Sequence, residues 1–228
     1  SGAIFQSTSD TEVILHLVAK SKKLKFIDKF IDALGYLEGA YSLVALTNKK
    51  LIGARDPLGI RPLVLGKLDK SYILASETCA LDIIGAEFIR EVENGEVIVI
   101  TDDGIESHFP FPKQSPRPCI FEYIYFAMPH SVIGGKSVYE IRKQLGYELS
   151  KEDNVKAEIV VPVPDSGVPA SLGYSEGSKI NFDYGLIRNH YVGRTFIEPT
   201  QNIRQFGVRL KHSANVQTVK NKSVVLLD

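Results

Sequence analysis

Residues 159–167 read Ile-Val-Val-Pro-Val-Pro-Asp-Ser-Gly. The β-branched run at their head suits a strand buried on both faces of a parallel sheet. Pro162 and Pro164 end that strand, because proline offers no ladder donor and restricts the residue before it. Asp165, Ser166 and Gly167 make a polar turn, and a helix is predicted over 168–177. A strand, a tight turn and a helix N-terminus leave backbone N–H groups facing a crevice, an arrangement suited to an anion. An ordinary βα connection has the same pattern, so the surrounding chain must decide.

Around this stretch the pattern alternates. Strands are predicted over 120–127, 158–163, 182–186 and 223–227, with helices over 138–151 and 168–177. Strands alternating with helices imply a parallel sheet of the α/β class. Upstream the texture differs. Ser9-Asp10-Thr11-Glu12 reads as a capping box opening a helix to about residue 20, with Ser9 as cap and Glu12 reaching back. A second helix follows over 24–37, with Phe26, Ile27, Phe30, Ile31 and Leu34 at helical spacing. Strands at 40–47 and 51–55 come next, then a hairpin of 63–66 and 71–75 turning at Asp69-Lys70. Ser76 reads as the cap of a short helix. A last hairpin joins 97–101 to 105–108 across Asp102-Asp103-Gly104. This half is α+β. Between the halves, 109–118 carries Pro110, Pro112, Pro116 and Pro118 and reads as a linker. The expected architecture is α+β then α/β, with a first domain over 1–108, a linker over 109–118 and a second domain over 119–228.

Composition bounds the function. The 228 residues are 44% hydrophobic and carry 27 basic and 27 acidic side chains. That balance points to no nucleic-acid partner and no anionic membrane, although a local basic pocket is compatible with it. No apolar run approaches the ~20 residues of a membrane span. Two cysteines, Cys79 and Cys119, are too few for a disulfide framework and fit a reducing, cytoplasmic setting.

The long polar stretch 188–222 has no clear periodicity and reads as a lid or binding loop. It gathers Arg188, His190, Arg194, Arg204, Arg209 and Lys211, with Tyr191 and Phe196 among them and Gly193 for backbone freedom. Guanidinium forks grip phosphate oxygens, so a phosphate-closing lid needs such residues; a solvated basic loop has the same composition. Beyond it, 223–227 reads as a buried strand with Asp228 at its C-terminal end, where ligands collect in sheets of this class.

Five motifs then carry a resemblance. Ser7-Thr8-Ser9-Asp10-Thr11-Glu12, Arg55-Asp56-Pro57-Leu58-Gly59-Ile60-Arg61-Pro62-Leu63, Ala75-Ser76-Glu77-Thr78, Phe121-Glu122-Tyr123-Ile124-Tyr125-Phe126-Ala127 and Tyr191-Val192-Gly193-Arg194-Thr195-Phe196-Ile197 stand in that order. In them the chain resembles the amidophosphoribosyltransferases, the glutamine-dependent phosphoribosyl-pyrophosphate amidotransferases of purine synthesis. The resemblance covers nearly the whole chain. It implies part of an N-terminal-nucleophile glutaminase domain followed by the first part of a type I phosphoribosyltransferase sheet. The first would free ammonia from glutamine; the second would use it to displace pyrophosphate, giving phosphoribosylamine. The resemblance assigns Asp10 to the glutamine amino group. It assigns Asp165, Ser166 and Gly167 to the pyrophosphate-side loop, and Arg188, Tyr191 and Arg194 to the segment that closes over the sugar phosphate. Asp228 becomes the first of two aspartates over the ribose hydroxyls. Mg2+ is expected with the family.

The same resemblance predicts what the chain does not hold. The family glutaminase uses a cysteine at residue one, with its own α-amino group as base; here Ser1 stands before a motif that lies well inside the family's glutaminase domain. The second ribose aspartate and the 5′-phosphate cradle would follow Asp228. The expectation is therefore a truncated chain without a complete active site, or a non-enzymatic phosphate- or nucleotide-binding subunit completed by another chain. Uncovered sheet edges would favour a homo-oligomer. Three positions depart from the family: Met128 stands for an arginine, His130 for an aspartate, and His190 for an arginine. Cys119 matches a cluster ligand of some members, but an iron–sulfur cluster needs four thiolates, so a buried structural cysteine is expected and no cluster. Arg55, Asp56 and Arg61 read as residues that tie down a turn, and Phe121, Tyr123 and Tyr125 as strand packing.

Overall fold

Four consecutive β-branched residues, Val97-Ile98-Val99-Ile100, are all buried. A strand with one wet face alternates, so both faces of this one must be covered. A computed structural model describes residues 4–152, 155–192 and 200–228, and the chain divides into units Ser1–Ile120 and Phe121–Asp228.

Unit 1 runs α1 (Glu12–Lys20), α2 (Phe26–Leu34), β1 (Ser42–Leu46), β2 (Leu51–Arg55), β3 (Val64–Leu68), β4 (Ser71–Ala75), α3 (Thr78–Ile83), β5 (Glu87–Glu91), β6 (Val97–Thr101) and β7 (Gly104–His108). Its strands make two antiparallel sheets, ordered β1-β2-β6-β7 and β4-β3-β5. Val97 and Val99 face Ile14, Phe30 and Leu34 of the two long helices. Ile98 and Ile100 face Leu63, Leu65 and Val92 on the other side. The result is three layers with β6 in the middle.

The two fully buried carboxylates of this unit, Asp56 and Glu96, are bonded. The fully buried Asp56 carboxylate accepts the N–H groups of Tyr41 (3.3 Å), Leu58 (3.0 Å) and Ile60 (3.2 Å). Arg55 donates to the carbonyls of Arg61 (2.9 Å), Val92 (2.8 Å) and Gly59 (3.3 Å). The Arg-Asp-Pro motif thus locks a turn, as its composition predicted. Glu96 is also fully buried and accepts from Arg90 (2.7 and 2.8 Å), Ser107 Oγ (2.6 Å) and the Glu93 N–H (2.7 Å). Burial works against its charge, but Arg90, Ser107 and the Glu93 amide outweigh it and hold the carboxyl below its usual range.

The N-cap of α1 is Thr11, not Ser9, and its side chain makes no cap bond. Glu12 does reach back, but to the N–H groups of Gln6 (2.7 Å) and Ser7 (2.8 Å) and the Ser7 hydroxyl (2.6 Å). Ser7 and then Gln6 hold its pKa down to about 2. Glu77, not Ser76, is the N-cap of α3. Strand β5 was not anticipated; it adds Phe88 and Ile89 to the second sheet, both partly exposed.

Unit 2 opens on a π-helix, Glu122–Phe126, followed by β8 (Val132–Ile133), β9 (Lys136–Ser137), α4 (Val138–Glu152), β10 (Ile159–Pro162), α5 (Val168–Ser178), β11 (Asn181–Phe182), β12 (Leu186–Arg188), α6 (Gln201–Lys211), β13 (His212–Ala214), α7 (Val216–Val219) and β14 (Val224–Leu227). The strand predicted over 120–127 is wrong. The Ala127 N–H bonds to the Glu122 carbonyl (3.0 Å), the i+5 bond of a π turn. The buried Arg142 of α4 takes the carbonyls of Tyr123 (2.5 Å) and Ala127 (2.8 Å) that a strand would have offered to a neighbour. The strand predicted over 182–186 is broken, because Asp183 bonds the Tyr184 and Gly185 N–H groups locally. The segment predicted as loop, 188–222, contains α6, capped by Thr200 Oγ1 on the Ile203 N–H (3.4 Å).

Strands β11, β10 and β14 form a parallel sheet with β10 central. Helices α4 and α5 cross unusually closely because glycines face the contact. A Cβ at Gly146 would lie 1.8 Å from the Ala170 carbonyl oxygen, and one at Gly173 would lie 1.8 Å from that of Lys143. Among the described residues, no helix is long and apolar enough to cross a membrane.

Candidate functional site

Parallel register decides what meets at the end of the central sheet. Ile159 pairs with Val224 and Pro162 with Leu227, so the residues after β10 stand beside Asp228 at the C-terminal ends of both strands. The ladder continues one step past Pro162: the Val163 N–H donates to the Leu227 carbonyl at 2.7 Å. The chain then turns back, and the Gly167 N–H bonds to the Val163 carbonyl at 2.9 Å. Residue 167 must be glycine here, since a Cβ would lie 2.3 Å from the Leu227 carbonyl oxygen. That absent side chain lets α5 start directly against the strand end.

Five of the sequence-predicted residues come together. Ser166 Oγ donates to the Asp228 carboxylate at 2.9 Å. The Arg188 guanidinium makes a short ion pair with Asp165, and Gly167 closes the turn between them. Among the described residues, no acceptor takes the backbone N–H of Asp165 or Ser166. The Nε of Arg188 is buried and also has no partner among those residues. Two free amides at the head of an eleven-residue helix and an unspent guanidinium donor suit an anion. Two carboxylates beside them make the corner acidic as well as basic.

Other predicted residues lie elsewhere. Tyr191 is fully exposed, its N–H bonded to Asn189 Oδ1 at 3.0 Å. Arg194, with Gly193 and Phe196, falls outside the described residues, as do Ser1 and the Arg204 side chain. Arg209, His130, His190 and Met128 are exposed. Asp10 belongs to unit 1, exposed just before α1, where it accepts from Thr11 Oγ1 at 3.3 Å. Its neighbours Ser9 and Thr11 line an open, largely apolar groove of about 1060 Å3 floored by Ile14, Phe30 and Leu43.

Sequence reading missed His212. It stands directly opposite Arg188 on the β12–β13 ribbon, and its Nε2 lies 3.2 Å from the Pro164 carbonyl. Each strand of the ribbon has only three residues, too few for a hydrophobic alternation to mark it in the sequence.

Comparison with known proteins gives these elements a context. A family model described as a glutamine amidotransferase domain matches residues 1–82. The amidophosphoribosyltransferase of Rhizobium etli is 61% identical over all of this chain, which covers 47% of that protein. The Bacillus subtilis enzyme is 45% identical over all of this chain, covering 48% of its own length. The solved glutamine phosphoribosylpyrophosphate amidotransferase from B. subtilis, complexed with ADP and GMP, superposes with a TM-score of 0.91 over 99% of this chain and 50% of that one. The chain thus spans about half the length of the relatives it matches. With identity of this order over every residue and the same arrangement of helices and sheets, it belongs to the amidophosphoribosyltransferase family.

Proposed function

We propose that the chain takes part in making phosphoribosylamine from phosphoribosyl pyrophosphate and glutamine for purine nucleotide synthesis. In this reading unit 1 belongs to the N-terminal-nucleophile glutaminase, with Asp10 toward the glutamine amino group. Unit 2 begins a type I phosphoribosyltransferase sheet. Ammonia forms a bond to C1 of the sugar as the C1–O bond breaks; pyrophosphate leaves with the electron pair, and the nitrogen gives up a proton.

The observation that carries the reading is the gathering of Asp165, Ser166, Gly167, Arg188 and Asp228 at the ends of β10 and β14. The free amides of Asp165 and Ser166 would donate to the leaving pyrophosphate, stabilising charge that grows as the bond breaks. Arg188 would share its guanidinium between Asp165 and a phosphate oxygen. Asp228 would accept from a ribose hydroxyl once Ser166 turns away. Mg2+ fits this donor set: it is bound through one or two carboxylates together with substrate phosphates, and Asp228 offers such a carboxylate. Bound there, the ion would neutralise pyrophosphate charge. Tyr191 and Arg194 would belong to the segment that closes over the sugar phosphate.

Calorimetric titration of the chain with magnesium phosphoribosyl pyrophosphate and magnesium pyrophosphate tests the reading. Saturable binding of both is expected, weakened about tenfold or more in Arg188→Gln, which loses a charge-assisted donor. Flat titrations with both ligands overturn it. Since the related B. subtilis structure is complexed with ADP and GMP, the same titration with those nucleotides addresses a nucleotide-binding role without turnover.

A further inference from the structure

We propose that His212 is a positioning residue for the loop formed by Pro164, Asp165, Ser166 and Gly167. The β12–β13 ribbon then grips this loop at two neighbouring residues: the Pro164 carbonyl through His212 and the Asp165 carboxylate through Arg188. The consequence for ligand binding rests on the pyrophosphate reading above.

Register supplies the first step. Arg188 and His212 are direct partners on antiparallel strands, and side chains of a direct pair leave the ribbon on the same face. Both therefore approach the end of β10 together. Lys211, one residue earlier, ends α6 and lies outside the ribbon.

Hydrogen-bond chemistry supplies the second. A carbonyl oxygen can only accept, so at 3.2 Å the ring nitrogen facing Pro164 must carry the proton. The structure assigns a proton to Nε2 of His212.

The third step is the weakness of the alternative anchor. The Arg188–Asp165 pair is partly exposed on both sides, and an exposed ion pair contributes little and is screened by salt. Arg188 must also share its guanidinium with a phosphate when a ligand binds. A hydrogen bond to the backbone does not compete with the ligand in this way. His212 keeps the Pro164 carbonyl fixed while Arg188 divides its donors, so that the free amides of Asp165 and Ser166 remain aimed at one point.

The test uses the full chain labelled with 15N and two variants. His212→Phe keeps the ring and removes the donor; His212→Gln restores a donor of similar reach. In the unliganded protein we expect the His212 ring nitrogens to report Nε2–H, and the amide signals of Asp165 to Gly167 to shift in His212→Phe and return in His212→Gln. Amide signals of α4 and α5 should stay in place in both, which separates loop positioning from loss of fold. Affinity for magnesium pyrophosphate should fall about tenfold in His212→Phe and recover to within about threefold in His212→Gln, the scale of one hydrogen bond. Unmoved loop amides in His212→Phe, or an Nδ1–H tautomer, overturn the proposal. If the loop amides respond as described but wild type does not bind pyrophosphate, the positioning role stands and the pyrophosphate reading falls.

Discussion

Adding one methyl group to Gly146 or Gly173 should cost the second unit about 2 kcal/mol of stability, although alanine is the better helix former. A Cβ at Gly146 would lie 1.8 Å from the Ala170 carbonyl oxygen, 2.6 Å from its carbon and 2.8 Å from its Cα. At Gly173 it would lie 1.8 Å from the Lys143 carbonyl oxygen and 2.9 Å from the Tyr147 nitrogen. These are backbone atoms of a facing helix and cannot rotate aside. The helices must part by roughly 1 Å, a gap that forfeits a quarter to a half of each contact's dispersion energy along the crossing. Backbone overpacking of this kind sits near 3 kcal/mol, about the top of the usual range; the better propensity of alanine returns about 1 kcal/mol. Gly177→Ala should be milder. Its Cβ would lie 1.8 Å from Ser150 Oγ, a hydroxyl that can swing away by giving up its 2.6 Å bond to the Tyr147 carbonyl. Gly35→Ala, where the nearest atom is 3.3 Å away and φ is −63°, should be neutral or stabilising. The measurement is urea unfolding read by hydrogen exchange, in peptides from α4 and α5 for the three variants of unit 2 and in peptides from α2 for Gly35→Ala. Wild-type midpoints for Gly146→Ala and Gly173→Ala, or a larger loss at Gly35, would refute the reasoning.

Two further outcomes follow from the buried charges. Glu96→Gln should destabilise unit 1 by about 2 kcal/mol at neutral pH, since it removes a charge-assisted acceptor from Arg90 and Ser107. Because the folded Glu96 carboxyl titrates below the ordinary glutamate range, its contribution is present above that range and lost as pH falls through the folded value. Urea midpoints of wild type should therefore drop between pH 6 and 3 more steeply than those of Glu96→Gln, and parallel curves would count against the network. Arg142→Leu should unwind the π turn, leaving the Tyr123 and Ala127 carbonyls without their donor at about 1–3 kcal/mol. Faster amide exchange confined to residues 122–127 is the expected sign; unchanged exchange there would show that the turn holds without Arg142.

Much of the architecture was legible where local chemistry and tertiary need agree. The hairpin of 97–101 with 105–108 forms as read; Asp69 and Gly104 turn hairpins with positive φ; Ile159 to Pro162 is the central parallel strand. The failures have a common cause. The aromatics of 121–126 alternate like a strand, and the donors that meet the Tyr123 and Ala127 carbonyls in the π turn come from an arginine in a later helix. Helix α6 has Ile203, Phe206 and Leu210 at helical spacing, all exposed, so its charges masked a periodicity that no core reinforces. At the site, the convergence on the strand ends could be read from Pro164-Asp165-Ser166-Gly167 and Asp228. The pairings could not: Ser166 with Asp228 depends on the register of β10 against β14, and His212 with Pro164 on a ribbon of three-residue strands whose register leaves no trace in the sequence.

The Arg55-Asp56 turn bears on where this chain can be cut. Asp56 takes the N–H groups of Leu58 and Ile60 from inside, while their carbonyls accept from Arg117 (2.8 Å) and Cys119 (3.0 Å) on the outside. Residues 109–120 therefore act as a hem sewn onto unit 1, with Phe111 tucked against its helical core. A protease nick or an engineered stop at residue 108 would strip two carbonyls of their donors and open that core; a stop after residue 120 would leave both stitched. An excised unit 1 should be made to the later boundary.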